Sequence, residues 1–353
     1  MAAASPPIDL MLIDMSAICY ASAHQPGLAR FEHDGQPTGV IMGAINSVAR
    51  LVGAHPAALP LVLWDGRAQW RYDLWPSYKS GRDDRPEKVH ARALVHAQAP
   101  HVRALLTDLG IPQARHPDAE ADDLAGYVVV GLASKGIRIR MISPDTDWWQ
   151  AIGDGVDWYS PITDRMVDLN VLCSSNVGKD APADGWRSPV EYLQAKILSG
   201  DDSDEIPGIQ GVGKVTAAKI LRSTPGGLDD LIAGQVPGRG VVVERLRTEE
   251  ARDILSRNSI LMNWSAGQVP RPEDLAAWAF APQIGLAQSS ALDFGLKALA
   301  ARLPSVFGSV DHSANPLLVS AVEAIEWTPW VDFDDCFCHA PQIPSSAAPR
   351  ARG

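Results

Sequence analysis

Three apolar runs, each leading straight into an acid, constrain this chain more than any other feature. IDLMLI (8–13) runs into Asp14, LPLVLW (59–64) into Asp65, and IRIRMI (137–142) into Asp145 and Asp147. Runs of this length rich in Ile, Leu and Val read as buried strands, with VDWYS (156–160) a weaker fourth. Between them, 38–54, roughly 87–109 and 121–135 carry helical periodicity. Strands alternating with helices predict an α/β fold, a central parallel-type sheet flanked by helices in the order β, α, β, α, α, β. Ligands of such a sheet sit outside the carboxyl ends of its strands, so these acids are expected to converge there.

Two acidic runs join them: Glu120-Ala121-Asp122-Asp123 and Asp201-Asp202-Ser203-Asp204. Taken singly, Asp122 and Asp123 fit a helix N-terminus equally well, and 201–204 fits a solvated turn. Taken together on one α/β pattern, gathered carboxylates repel unless a hard cation neutralises them. No His or Cys lies within these motifs, which favours Mg²⁺ or Mn²⁺ over zinc.

The net charge of -11 speaks against a uniformly basic nucleic-acid-binding surface. That objection weakens if about eight acids surround two divalent cations, which return about four positive charges. The four cysteines are too scattered to act as a disulfide framework, and the short start MAAASPP reads as neither signal peptide nor membrane span. A reducing cytoplasm is the expected setting.

Between Arg67 and Lys88, Arg71, Lys79, Arg82 and Arg85 interleave with Trp70, Tyr72, Trp75 and Tyr78. Cations for phosphates and aromatic faces for bases make a single-strand-binding surface. Composition alone favours a solvated loop whose aromatics pack on the body, and the position directly after Asp65 shifts the reading toward the binding surface. PGIQGVGKVTAAKIL (207–221) places a Gly-x-Gly turn, Gly211 and Gly213, at a helix start, with Lys214 just inside and Lys219 further along. Such a turn suits a phosphate oxygen or a monovalent cation bridging to it; alone it would read as a simple tight helix-helix turn, but it follows an acidic run directly. A polar stretch from about 171 to 189 reads as a linker to a mainly helical second part.

On the motifs YKSGR (78–82), AEADD (119–123), SPDTDWWQ (143–150) and SGDDSDEIPGIQGVGKVTAAKIL (199–221), the chain resembles the 5′ nuclease family over roughly residues 8–305. That family includes flap endonucleases, phage 5′-3′ exonucleases and the nuclease domain of bacterial DNA polymerase I. The resemblance implies a PIN-like catalytic domain over 1–178 with an arch at about 66–90, and a DNA-binding region over 186–305 with a helix-hairpin-helix at 207–221. A C-terminal extension, 306–353, would follow.

The resemblance also implies two-metal hydrolysis of DNA in replication or repair. Asp14, Asp65, Glu120 and Asp122 would hold one Mg²⁺ or Mn²⁺, with Asp123 close by, and Asp145, Asp147, Asp201 and Asp204 a second. Lys79 and Arg82 would act on the scissile phosphate. Arg71, Tyr78, Gly211, Gly213, Lys214 and Lys219 would bind DNA, with K⁺ at the hairpin. Implied partners are DNA with 5′ flaps or free 5′ ends, RNA primers on DNA, and a DNA polymerase or single-strand-binding protein. A stand-alone monomer from a bacterium or phage is the expected form.

Two positions depart from the family pattern: Glu205 stands where many relatives have Asn, and Asp14-Met15-Ser16 replaces the commoner Asp-Gly. The segment 327–341, with its Cys-x-Cys-His, lacks a fourth ligand for tetrahedral zinc and reads as a docking peptide or packed tail. A PIN-type ribonuclease would share the sheet and several acids, but would need neither arch nor hairpin. A catalytically silent protein for branched DNA would not need every ligand position to be acidic.

Overall fold

A computed structural model describes residues 7–83, 85–133, 135–178, 181–264, 276–278 and 282–308. The segment 327–341 lies outside the described residues. The first part runs β1 (Leu10–Asp14), α1 (Met15–Ala23), β2 (Glu32–His33), β3 (Gln36–Pro37), α2 (Gly39–Ala54), β4 (Leu59–Trp64), α3 (Gln69–Leu74), α4 (Pro86–Asp108), β5 (Gln113–Arg115), α5 (Ala121–Ala133), β6 (Ile139–Ile142), β7 (Val156–Ser160) and β8 (Arg165–Val167). It continues through α6 (Leu169–Leu172), α7 (Pro189–Ser199), β9 (Gly200–Asp201), β10 (Ile206–Pro207), α8 (Lys214–Ser223), α9 (Gly227–Ile232), α10 (Val241–Leu246), α11 (Glu249–Met262), β11 (Ala276–Trp278), α12 (Ile284–Asp293) and α13 (Lys297–Phe307).

The central sheet has the order β11-β5-β4-β1-β6-β7-β8. From β5 to β7 all neighbours are parallel, while β11 and β8 close the two edges antiparallel. β1 and β4 are buried along their whole length, as their apolar runs require. β5 is an addition to the expected strand order, lying between α4 and α5. Its sequence Gln-Ala-Arg hides it because the polar side chains are buried on partners instead of being excluded. Gln113 accepts from Trp64 Nε1 at 2.9 Å and donates to Thr107 Oγ1 at 3.0 Å.

Apolar layers cover both faces of the sheet. On one, Leu12, Leu61 and Met141 share a cluster with Leu124 of α5, Leu198 of α7, Leu221 of α8 and Leu255 of α11. On the other, Ile13 and Val62 pack with Ile45 of α2, Val102 of α4 and Leu303 of α13. The expected DNA-binding region 186–305 therefore divides. α7 to α11 extend the first layer, whereas α12 and α13 return to the opposite face against α4 and α2.

β1 lies between β4 and β6, so the chain reverses its direction of progress across the sheet at β1. That switch point opens a crevice at the strands' carboxyl ends. No helix among the described residues is long and apolar enough to cross a membrane.

Candidate functional site

The crevice is built from strand ends and helix starts. Asp14 is both the last residue of β1 and the N-cap of α1, its Oδ1 accepting from Ala17 N at 2.9 Å and its Oδ2 from Ser143 Oγ at 2.7 Å. Asp65 follows β4 and accepts from Ala121 N at 2.8 Å, which fixes it over the start of α5. Asp145 caps the 3₁₀ turn Thr146–Ala151 after β6, accepting from Asp147 N at 2.9 Å. Local capping geometry thus aims each strand-end acid at the crevice.

These carboxyls are crowded. Burial, then the Asp65 charge, pushes Asp14 up to about 7. Asp65 and Asp145 keep an exposed edge, yet lost hydration followed by the Glu120 charge raises Asp65, and lost hydration followed by Asp147 pushes Asp145 up to about 7. Asp122 is raised well above the carboxylate range by burial, then by Asp123 and Glu120. Such mutual repulsion is what a bound cation relieves.

Cationic side chains divide the acids into two groups. Lys79 Nζ lies 2.5 Å from Glu120 Oε1 and 3.7 Å from Asp204 Oδ2, and Tyr78 OH donates to Glu120 Oε2 at 2.8 Å and Asp204 Oδ2 at 3.2 Å. Burial would raise Glu120, but Lys79 and Arg71 hold it down at about 2. On the other side, Lys196 Nζ bridges Asp147 Oδ1 and Asp201 Oδ2, the latter at 2.8 Å. Against its burial, Lys196 and the Ser203 hydroxyl and amide hold the Asp201 carboxyl well below the usual range.

Of the residues expected to hold metal, Glu120 and Asp204 are in contact with Lys79, and Asp147 and Asp201 with Lys196. No group of three or more carboxylate, imidazole or thiol side chains among the described residues stands ready-made around one ion position. The donor chemistry nonetheless fits a hard divalent cation, since the crowded pairs Asp14 with Asp65 and Asp145 with Asp147 offer oxygen alone.

Three expectations are corrected. Asp123 is fully buried and forms two hydrogen bonds with Arg71, at 2.5 and 2.6 Å, while its Oδ2 also accepts from Glu120 N. It braces the start of α5 and does not face the crevice as a ligand. Arg71, only 3% exposed, is spent on that pair and on Leu261 O at 3.2 Å, so it offers nothing to DNA. Tyr78 is buried and Trp70, Tyr72 and Trp75 pack against the core, so the aromatics make no open stacking surface. Arg82 lies in the 3₁₀ turn Ser80–Asp83, and its side chain is outside the described residues.

A glycine turn opens α8 at the position the sequence pointed to. Gly211 has φ 82°, Val212 N donates to Ile209 O at 2.9 Å, and Gly213 is the N-cap of α8 without a side-chain cap. Lys214 stands half-buried in the first turn of α8 and Lys219 is exposed. A pocket of about 520 Å³ joins this helix start to the acidic turn, lined by Lys196, Asp201, Asp202, Gly213 and Lys214. Lys196 and Ser143 are the site residues that sequence reasoning missed. The signal for Lys196 was a basic residue on a helix ending just before Gly200-Asp201.

The family model for the 5′-3′ exonuclease N-terminal resolvase-like domain matches residues 9–177. The chain is 28% identical over 257 residues to a 5′-3′ exonuclease of Mycobacterium tuberculosis, covering 68% of this chain and 78% of that one. It is 29% identical over 215 residues to a 5′-3′ exonuclease of Aquifex aeolicus, covering 60% and 68%. In fold it is similar to phage T5 5′-exonuclease, solved with bound divalent metal ions (zinc). There the TM-score is 0.61 at 20% identity, over 84% of this chain and 99% of that one. The matched domain spans β1 to α6 and contains all the strand-end acids, so residues 9–177 carry a 5′-3′ exonuclease N-terminal resolvase-like domain.

Proposed function

We propose that this chain is a structure-specific, divalent-metal-dependent 5′ nuclease that hydrolyses phosphodiester bonds of DNA bearing a 5′ flap or free 5′ end. One observation carries the reading. Acids at the carboxyl ends of β1 and β4 lie within electrostatic reach of Lys79, and that at the end of β6 within reach of the turn 201–204, which runs on into the glycine hairpin. Chemistry and duplex grip are thereby joined over a few residues.

Two divalent cations, Mg²⁺ or Mn²⁺, held by Asp14, Asp65, Glu120 and Asp122 on one side and by Asp145, Asp147, Asp201 and Asp204 on the other, would activate water and neutralise the phosphate. The chain's own groups do the rest. Lys79, with Arg82 beside it in sequence, offers positive charge to the scissile phosphate. Gly211, Gly213, Lys214 and Lys219 take a duplex phosphate on the N–H groups of the α8 N-terminus, and a K⁺ ion would be held there by the phosphate and by carbonyl oxygens of the turn.

The test compares a 5′-labelled flap, a blunt duplex and an RNA flap of matched sequence, each with and without Mg²⁺. Mg²⁺-dependent cleavage of the DNA flap is expected, abolished by Asp65→Asn and by Asp145→Asn while flap binding persists. Preferential cleavage of the RNA flap would move the chain to the ribonuclease reading. If both variants cleave at the parent rate, the metal assignment is wrong.

A further inference from the structure

Two non-glycine residues in the left-handed backbone region stand against each other at the crevice: Lys79 with φ 56° and Glu205 with φ 57°. L-residues adopt this region at a cost, and such strain persists only where surrounding contacts impose it. Here the contacts are specific. Lys79 N donates to Asp204 O at 3.0 Å, Trp75 Nε1 donates to Glu205 O at 2.8 Å, and Ser80 Oγ donates to Glu205 Oε2. Gly81 leaves room for that carboxylate, since a Cβ at 81 would collide with Glu205 Oε1. Arg257 secures the assembly from α11, lying 4.1 Å over the Trp75 ring and donating to Pro207 O at 3.1 Å.

The strained positions and their neighbours carry the chemistry of both sides. Lys79 reaches Glu120 and Asp204 with its ammonium, and the turn holding Glu205 also carries Asp201 and Asp204. A change in the Ser80–Glu205 contact therefore shifts Lys79 relative to the acidic turn. We propose that Glu205 is a positioning residue: through Ser80 and Trp75 it fixes the Lys79 ammonium between Glu120 and the 201–204 turn. This rests on the reading of Lys79 as the cation that meets the scissile phosphate.

The test is single-turnover cleavage of a 5′ flap with the full chain at saturating enzyme and Mg²⁺, alongside the flap Kd. Glu205→Ala and Ser80→Ala are each expected to slow the rate by about 10- to 100-fold, with Kd nearly unchanged, because small misplacements at a reacting centre act on the rate. Glu205→Gln keeps the acceptor for Ser80 and should restore most of the rate. Glu205→Asn suits the left-handed backbone but withdraws the acceptor by one methylene, so its thermal midpoint should match or exceed the parent's while its rate falls. That opposite movement separates positioning from mere stability.

In a Lys79→Ala background, Glu205→Ala should add little, the mark of two residues acting as one unit. Full additivity, or a parent rate for Glu205→Asn, overturns the proposal while leaving Lys79's role intact. A parent rate for Lys79→Ala instead overturns the Lys79 reading, and this one with it.

Discussion

Arg71 and Lys196 show how differently a cation reads in sequence and in the fold. The strand-end acids were legible because each follows its own apolar run, a local pattern. A buried cation has no such pattern, because its partner lies far along the chain: Asp123 for Arg71, Asp147 for Lys196. Removing one member of a buried pair leaves the other charge unpaired in the interior, at a cost of about 3–5 kcal/mol. Arg71→Met should therefore lower the unfolding free energy from urea titration by that order and the midpoint with it, measured against an exposed control such as Arg239→Met. An unchanged midpoint with weakened flap binding would return Arg71 to a DNA-contacting role. Lys196 holds Asp147 and Asp201 together, and both would repel in its absence. Lys196→Met should melt earlier than the parent in chelator, and gain more from added Mg²⁺ than the parent does, since a cation binding only the folded state stabilises it. Equal Mg²⁺ shifts in the two proteins would show that Lys196 does not stand in for a cation there.

At the scale of elements, periodicity placed the long helices and the parallel strands, and glycine spacing placed the hairpin. Short elements escaped, β5 because its polar residues are satisfied inside, the edge strand β8 because three residues carry too little pattern. The turn between α7 and α8 depends on backbone proximity that only a missing Cβ allows. Gly200 has φ 75°, and a Cβ there would collide with the backbone of Ile206 and Gly208. Gly200→Ala should destabilise by about 1–3 kcal/mol and displace the acidic turn with it; a parent thermal midpoint would mean the hairpin β9-β10 adapts freely. Lys214, half-buried, and Lys219, exposed, lie on α8, and the proposed function gives both to duplex phosphate. Each alanine variant should weaken duplex binding at every sequence alike and reduce the slope of log K against log salt by about 1. A slope equal to the parent's, measured by titration at several salt concentrations, removes that lysine from the phosphate contacts.

For the whole molecule, the sequence suggested a catalytic part and a DNA-binding part meeting at a polar linker, but the core ignores that boundary. Trp148, in the turn after β6, is among the largest fully buried side chains and meets Trp264 edge-on at 5.9 Å. Trp149 packs on Tyr192 of α7 at 5.4 Å, and Gln150 donates to Met262 O and accepts from Trp264 N. These partners lie beyond residue 178, yet they cover the very turn that carries Asp145 and Asp147. A fragment ending at 178 would leave two tryptophans and an apolar sheet face in water, at about 25 cal/mol for each Å² exposed. We expect residues 7–178 alone to lack a cooperative melt and to show Trp fluorescence shifted toward the solvent-exposed range, while 7–308 melts in one transition. A fragment that unfolds cooperatively at the full chain's midpoint would establish two independent domains. Failure of the fragment would instead mean that the metal-facing turn after β6 takes its shape only when the helices leading to and from the hairpin are packed against it, so that the nuclease crevice and the duplex grip fold as one unit.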